Sequence, residues 1–453
     1  MNLYGMRRIK ETWQVTPQLQ WEVTKTADLL KRLTTANNLG ANPKVALVGF
    51  LTTYYGHIIN AITGNGYGYH DAAAGAKIVT SYILRNIGEG AITLGQNTDI
   101  GRVLTDHTLM NIMERFNLAN QFERKTSHTN MNRAARIAYE NSVFGLLSSA
   151  DFLSKATILA SVMHAFRLVD GEFVNVDAIY RNAAKIEDES ARSKYITDKL
   201  TQYNSKDVVT MYDAVKQGTK KFEVKKEYET AFNNAYYVVQ ATAEKLAERA
   251  DGMATEEQKG MITQSILGSL ILIHRQYLPL QWVESFAAPV YDMDMQTYKG
   301  GRFHVMYKYI KELAMQSTKN FTTIGAILGT YLGLGTTGVI PAAAIGAGIG
   351  YLAGRLTKQF HKNKSFKQVN KEFFNNTSTE DSILRSRHYR RVRNQVLSEV
   401  ALCKVLQIIV SIFCGFMDDP DKKDDKGLQF LALVLRQLEW ETYSPYRGDD
   451  VLS

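Results

Sequence analysis

Between Asn320 and Gly354 the chain runs for 35 residues without a charged side chain, and its glycines recur at a fixed interval. Gly325, Gly329 and Gly333 are four apart, and after a turn at Gly335-Thr-Thr-Gly-Val-Ile-Pro341 the interval returns at Gly346, Gly350 and Gly354. Residues four apart share one face of an α-helix. Two such faces can approach until the backbones touch, the small-xxx-small packing found between membrane helices. In water each mid-helix glycine instead costs roughly 0.5–1 kcal/mol relative to alanine. The pattern predicts a glycine-zipper helical hairpin. Each arm, at about 17 residues, would reach roughly 25 Å against about 30 Å of hydrocarbon core, so spanning is marginal. Two readings follow: a hairpin inserted in lipid, or one packed tightly inside a soluble assembly.

The flanks bear on that choice. From Arg355 to Asn394 there are eleven lysines and arginines against Glu372, Glu380 and Asp381, a local excess of eight beside nine for the whole chain. A global argument from charge to nucleic acid therefore reduces to what this one segment touches. Lys311 and Lys319 precede the hairpin, while Arg355, Lys358, Lys362, Lys364 and Lys367 follow it. Both ends would then stay beside an anionic surface if the hairpin inserts. A second cluster, Arg385, Arg387, Arg390, Arg391 and Arg393, is dense enough to neutralise phosphates, with Tyr389 placed to stack on a base. The alternative for that cluster is a solvated or lipid-facing helix surface.

The rest of the chain reads as all-α, an elongated multi-helix assembly. Seven prolines in 453 residues fall well below the usual share of about 5%, leaving long stretches for helices. Five regions are expected: an N-terminal apolar helical region over 1–172, a charged, solvent-exposed helical arm over 173–251, a second apolar helical region over 252–318, the hairpin over 319–357, and the basic stretch with C-terminal helices over 358–453. The first opens with an extended arm over residues 1–19 and a short amphipathic helix carrying Trp21, Val23, Leu29, Leu30 and Leu33. Asn42-Pro43 is a helix start signal, and the helix it opens is apolar on nearly every side, so it is either deeply buried or in lipid. Gly64-Asn-Gly-Tyr-Gly-Tyr breaks that helix with a spacing that matches no phosphate loop, which makes it a turn. Helices follow around Asp71–Arg85, Asp106–Phe116 and Met131–Phe166. The stretches Val396–Phe416 and Leu428–Trp440 close the series, the former again a candidate for burial or membrane.

No catalytic centre is legible. Cys403 and Cys414 lie in an apolar stretch without metal-ligand spacing, so no disulfide framework is expected. The nine histidines lack H-E-x-x-H or i, i+4 pairing, and His57 and His274 read as core or interface residues. Asp292-Met-Asp294 is too short to argue for Mg²⁺, and Asp418-Asp-Pro-Asp lacks the EF-hand pattern and reads as a surface loop. No nucleophile elbow or nucleotide loop occurs. No cofactor and no enzymatic activity are expected. The N-terminus has basic residues without the apolar segment of a secretory signal.

Two stretches, Asn42-Pro43-Lys-Val-Ala-Leu-Val-Gly-Phe-Leu-Thr-Thr-Tyr-Tyr-Gly-His-Ile-Ile-Asn60 and Gln258-Lys-Gly-Met-Ile-Thr-Gln-Ser-Ile-Leu-Gly-Ser-Leu-Ile-Leu-Ile-His-Arg-Gln-Tyr-Leu-Pro279, resemble helical regions of the large cargo virion proteins of crAss-like phages, which are ejected with the genome. The resemblance covers about half of the chain, contains no catalytic motif, and implies a small cargo protein or a piece of a larger one. It implies residence in the capsid or tail interior, then delivery to the host cell envelope. Its partners would be other virion proteins of portal, tail or cargo, the host membrane, nucleic acid through Arg385–Arg393, and further copies in an oligomer. The alternatives are a structural or scaffold component of the particle, and an accessory helical region of a virion RNA polymerase.

Overall fold

The computed structural model describes residues 12–16, 19–22, 43–87, 108–118, 152–219, 221–251, 285–333, 339–358, 364–376, 379–417 and 429–436. Among these residues helices dominate, with three two-stranded antiparallel hairpins between them. In chain order these are β1 (Thr12–Thr16), β2 (Leu19–Glu22), α1 (Pro43–Thr63), α2 (Tyr69–Ile87), α3 (Thr108–Arg115), α4 (152–165), β3 (Arg167–Val169), β4 (Glu172–Val174), α5 (Val176–Ala184), α6 (Glu189–Tyr203), α7 (Glu229–Asp251), β5 (Val290–Asp292), β6 (Thr297–Lys299), α8 (Arg302–Ala314), α9 (Thr318–Gly333), α10 (Val339–Leu356), α11 (Phe366–Phe374), α12 (Glu380–Met417) and α13 (429–436). They divide into two compact units. Unit one takes Met1–Val176, Thr201–Trp282 and Leu397–Ser453, and unit two takes Asp177–Leu200 and Val283–Val396.

Three local expectations are corrected. Trp21 begins no helix: it lies in β2, in register with Trp13 of β1. At the end of α4 the chain makes a hairpin, β3 to β4, because Asp170 and Gly171 both adopt positive φ (52° and 82°). An Asp-Gly pair in this conformation matches the right-handed twist of two flanking strands. The third correction concerns the charged arm. Of its helices, α6 is largely exposed, but α7 buries Ala231, Phe232, Ala235, Val239, Ala243, Leu246 and Ala247 in the core of unit one. Their intervals of one to four residues draw a single stripe along the helix, and Glu229, Glu244 and Lys245 lie outside it.

That core is built around α4, whose Ile158, Leu159, Val162 and Met163 are fully enclosed. Gly75 of α2 is required where α2 crosses it: a Cβ there would collide with the Ser161 hydroxyl and come within 2.8 Å of the Ser161 backbone nitrogen. Phe116, following α3, meets Phe232 of α7 edge-on at 6.3 Å and Tyr236 at 4.9 Å. Asp71 of α2 ties three segments together: its Oδ1 accepts from Arg167 at 2.7 Å and lies 2.8 Å from His164 Nδ1, and its Oδ2 accepts from the Gly68 N–H at 3.0 Å. Burial opposes ionisation of this carboxyl, but the hydrogen bonds from His164, Gly68 and Arg167 outweigh it and hold its pKa below the ordinary value.

Helix α1, left open between burial and lipid by its sequence, buries Val48, Thr53, His57, Ile59 and Ala61 within unit one. His57 Nδ1 lies 2.7 Å from the Tyr67 hydroxyl, which follows the expected turn at Gly64 and Gly66, both at positive φ. Burial drives the His57 pKa down to about 4, so the ring is neutral in the folded protein at neutral pH.

Candidate functional site

Unit two carries both features that the sequence singles out, the glycine hairpin and the arginine cluster. Helices α9 and α10 pack against each other with backbone facing backbone. A Cβ on Gly325 would collide with the carbonyl oxygen of Gly346, and one on Gly350 with that of Phe321, while one on Gly354 would stand 2.8 Å from the Thr318 Cα. No side chain fits at these three positions unless the helices separate. At the open end of the pair the Thr318 hydroxyl donates to the Gly354 carbonyl at 3.2 Å. The hydroxyls of Thr322, Thr323 and Thr357 return to carbonyls one turn back, at 3.0, 3.0 and 2.9 Å. Such back-bonding satisfies a polar group without a partner from outside the helix. Gly325, Gly346, Gly350 and Gly354 are thus brought together. Gly329 and Gly333 lie within α9, but their surroundings fall outside the described residues, as does the turn over 334–338.

Close packing through glycine has a geometric consequence on the other side of α10. The bulky residues cannot occupy the inner face, and Ile345, Ile349, Leu352 and Leu356 stand 64%, 64%, 62% and 80% exposed. Their spacing of four, three and four residues makes them one stripe. Gly348 is the contrasting glycine: it looks outward and a Cβ there would meet nothing within 4 Å. A contiguous patch of exposed aliphatic side chains is uncommon on a free surface and marks a binding face. By the criterion of length and hydropathy, no helix among the described residues is long and apolar enough to cross a membrane.

Two cations stand at the end of this stripe. Arg355 and Lys358 are exposed on and just beyond α10, and the Arg355 guanidinium sits 5.9 Å from the ring centroid of Tyr351. Lys319 is exposed at the start of α9, one residue from the Thr318 that meets Gly354. Lys367 is exposed on α11, whereas Lys364 donates to Glu372 at 2.6 Å. Helix α11 starts in a capping box, with Ser365 and Gln368 exchanging side-chain and backbone hydrogen bonds. Lys362 lies outside the described residues.

The arginine cluster is divided by the structure. Arg387 and Arg391, one turn apart on α12, both reach Asp177 in the first turn of α5: Arg387 Nε donates at 2.6 Å, and Arg391 Nη2 donates to both carboxylate oxygens at 2.5 and 2.7 Å. Burial works against the Asp177 charge, but the guanidiniums of Arg391 and Arg387 prevail and hold the carboxyl far below the usual range. Burial likewise lowers Arg391, with Asp177 opposing it. Arg385 pairs with Asp381 at 2.7 Å, and Asp381 also accepts from the Tyr298 hydroxyl. Arg393 lies over Phe374 at 4.8 Å, and Arg390, its pKa lowered by burial, interacts with Tyr180. Tyr389, which the sequence offers as a base-stacking ring, is stacked on Phe373 at 4.9 Å.

Asp177 carries no signal that sequence reading could use, since its arginine partners are more than 200 residues away. Asp292, by contrast, finds a structural role: its Oδ1 accepts from the N–H groups of Asp294 and Met295, and Lys299 pairs with its Oδ2 at 2.7 Å, closing the β5–β6 turn. Among the described residues no group of three or more His, Cys, Asp or Glu is placed to hold a metal ion. The described part of the hairpin offers an apolar face with Arg355 and Lys358 at its end. Comparison with protein-family models, with curated proteins and with solved structures found no match in any of the three.

Proposed function

We propose that this chain is a non-enzymatic phage virion cargo protein, delivered with the genome, whose residues 319–367 engage the host envelope. The observation that carries the membrane part is the exposed stripe Ile345, Ile349, Leu352 and Leu356 on a helix whose other side is closed by backbone-to-backbone packing at Gly325, Gly350 and Gly354. A glycine zipper of this kind makes a stiff two-helix blade that keeps its hydrogen bonds internal, a condition for entering lipid. The delivery part draws on the resemblance of Asn42–Asn60 and Gln258–Pro279 to cargo proteins of crAss-like phages.

A second reading, a structural component that stays in the particle, draws on α12. Beyond the boundary at Val396, this helix exposes Leu397, Val405, Ile408 and Ile409, side chains suited to another protein. Co-flotation with liposomes separates the two. Under the first reading the full chain floats with phosphatidylglycerol-containing vesicles, stays bound when salt is raised, and is released by the double substitution Ile349→Glu, Leu352→Glu. A wild-type chain that stays at the bottom of the gradient, or that salt strips completely, defeats the membrane reading and leaves the second.

A further inference from the structure

Over their described residues, the first half of α9 and the length of α10 do not present equivalent outer faces. Outward on α10 stand Ile345, Ile349, Leu352 and Leu356 over the helix's described length, with Tyr351 half-exposed beside them. Outward on the described part of α9 stand Lys319 and Thr323, the latter with its hydroxyl returned to the Lys319 carbonyl at 3.0 Å. A hairpin surrounded by lipid needs both outer faces apolar. One apolar outer face backed by a polar one is the pattern of a helix lying in the plane of an interface.

Charge placement supports the same geometry. Arg355 falls between Leu352 and Leu356 on the exposed side of α10, and Lys358 follows one turn later. The Arg355 guanidinium rests near the Tyr351 ring, an amphipathic pair suited to the headgroup level, where aromatic rings and snorkelling cations collect. An uncharged apolar partner would leave these cations without a counter-charge. An anionic lipid surface supplies it across the whole rim.

From this asymmetry we propose that the hairpin lies in one leaflet, α10 face down on anionic phospholipid and the start of α9 on the aqueous side. The inference rests on the membrane reading above and adds its lipid class and its geometry. The helix pair adheres as a blade laid flat, with the glycine contacts holding α9 above α10 and the cations anchoring the open end.

The test uses the full chain with p-benzoylphenylalanine in place of either Ile349 or Thr323, photolysed on vesicles of phosphatidylglycerol with phosphatidylcholine, or of phosphatidylcholine alone. Both positions are outside the packed face, so the probe does not disturb the glycine contacts. The expected result is lipid adducts at position 349 with few at 323, and binding to the anionic vesicles on the order of a hundredfold tighter than to neutral ones. Substituting Arg355→Gln and Lys358→Gln should reduce the anionic preference by about tenfold or more and leave adduct formation by bound protein at 349 in place. Equal adducts at 349 and 323 on vesicles that do float would overturn the flat geometry while the membrane reading stands. Equal affinity for the two kinds of vesicle would overturn the anionic assignment. Failure to float on either kind removes the membrane reading together with this inference.

Discussion

Helix α7 carries Glu229, Glu244, Lys245, Glu248 and Arg249 and still packs seven residues into the core of unit one, whereas α10, with Arg355 as its one charged residue, holds four large aliphatic side chains in solvent. The difference lies in where each helix keeps its bulk. In α7 the apolar residues fall in one stripe: Phe232 meets Phe116 after α3, and Leu246 lies against the turn at Gly66, with alanines between them to admit close neighbours. In α10 the inner face is glycine, so the approach of α9 leaves no room for bulk and turns it outward. Average hydropathy therefore says little about burial. What decides is whether large side chains share a face with the packing partner or with the opposite side.

The comparison breaks most directly at Phe232. If α7 is a core helix, Phe232→Ala removes a ring in contact with Phe116 and Phe222 and should cost about 3–5 kcal/mol in urea unfolding. A loss no larger than that of an exposed residue would return α7 to the status of an arm. Asp177→Asn comes next. It leaves Arg387 and Arg391 facing an uncharged amide in a buried site, and the expected loss is near the lower end of about 3–5 kcal/mol. The sign is fixed by the depressed pKa: the stabilisation is complete above the unfolded carboxyl value of 3.8 and is lost only as pH falls below it, so the deficit should be full at neutral pH.

Much of the helical layout was legible because periodicity reports it directly. The Asn42-Pro43 start, the turn at Gly64 and the helices around Asp71–Arg85 and Asp106–Phe116 all follow from caps, breakers and spacing, and α1, α2 and α3 occupy those places. The Asp170-Gly171 pair was also readable as a hairpin turn, yet its strands are only three residues each, too short to alternate visibly. The apparent arm over 173–251 misled because charge density hides a stripe of small residues: alanine supplies little hydropathy but much close packing. In the arginine cluster the composition was plain, but the buried counter-charge comes from Asp177, and no local pattern reports a pairing across 210 residues. The close approach at Gly325, Gly350 and Gly354 was legible from their spacing, while the outward turn of Ile345, Ile349, Leu352 and Leu356 needed the position of α9.

Helix α1 sharpens the contrast, because it is strongly apolar too and yet turns Val48, Ile59 and Ala61 into unit one. Its His57, neutral in the fold with a pKa of about 4 against 6.5 when unfolded, makes the burial measurable. The unfolded chain takes up a proton between these values and the folded chain does not. Stability should be full above pH 6.5 and fall as the pH is lowered, the loss approaching about 3 kcal/mol below pH 4. His57→Gln should remove this component from the pH profile. A smaller effect separates two glycines of α10: Gly350→Ala, which must push against the Phe321 carbonyl, should cost about 1–3 kcal/mol. Gly348→Ala meets open space and should stabilise the helix by up to about 1 kcal/mol. Equal effects at the two positions would mean that the glycines do not set the α9–α10 distance.

The smallest expected change in solution is the most informative about α10. Ile349 touches no core, so Ile349→Ser should alter unfolding free energy by no more than about 0.5 kcal/mol, in contrast to Phe232→Ala in the more polar α7. If the stripe is a binding face, the cost moves from folding to association. An isoleucine transferred from water to an apolar surface contributes about 1.5–3 kcal/mol, so the same substitution should weaken vesicle partitioning by roughly tenfold to a hundredfold. A serine variant that unfolds early would place Ile349 against protein and close the exposed face. One that folds normally but no longer binds would show that α10 keeps its bulk outward for a partner, which is the converse of what α7 does with its own.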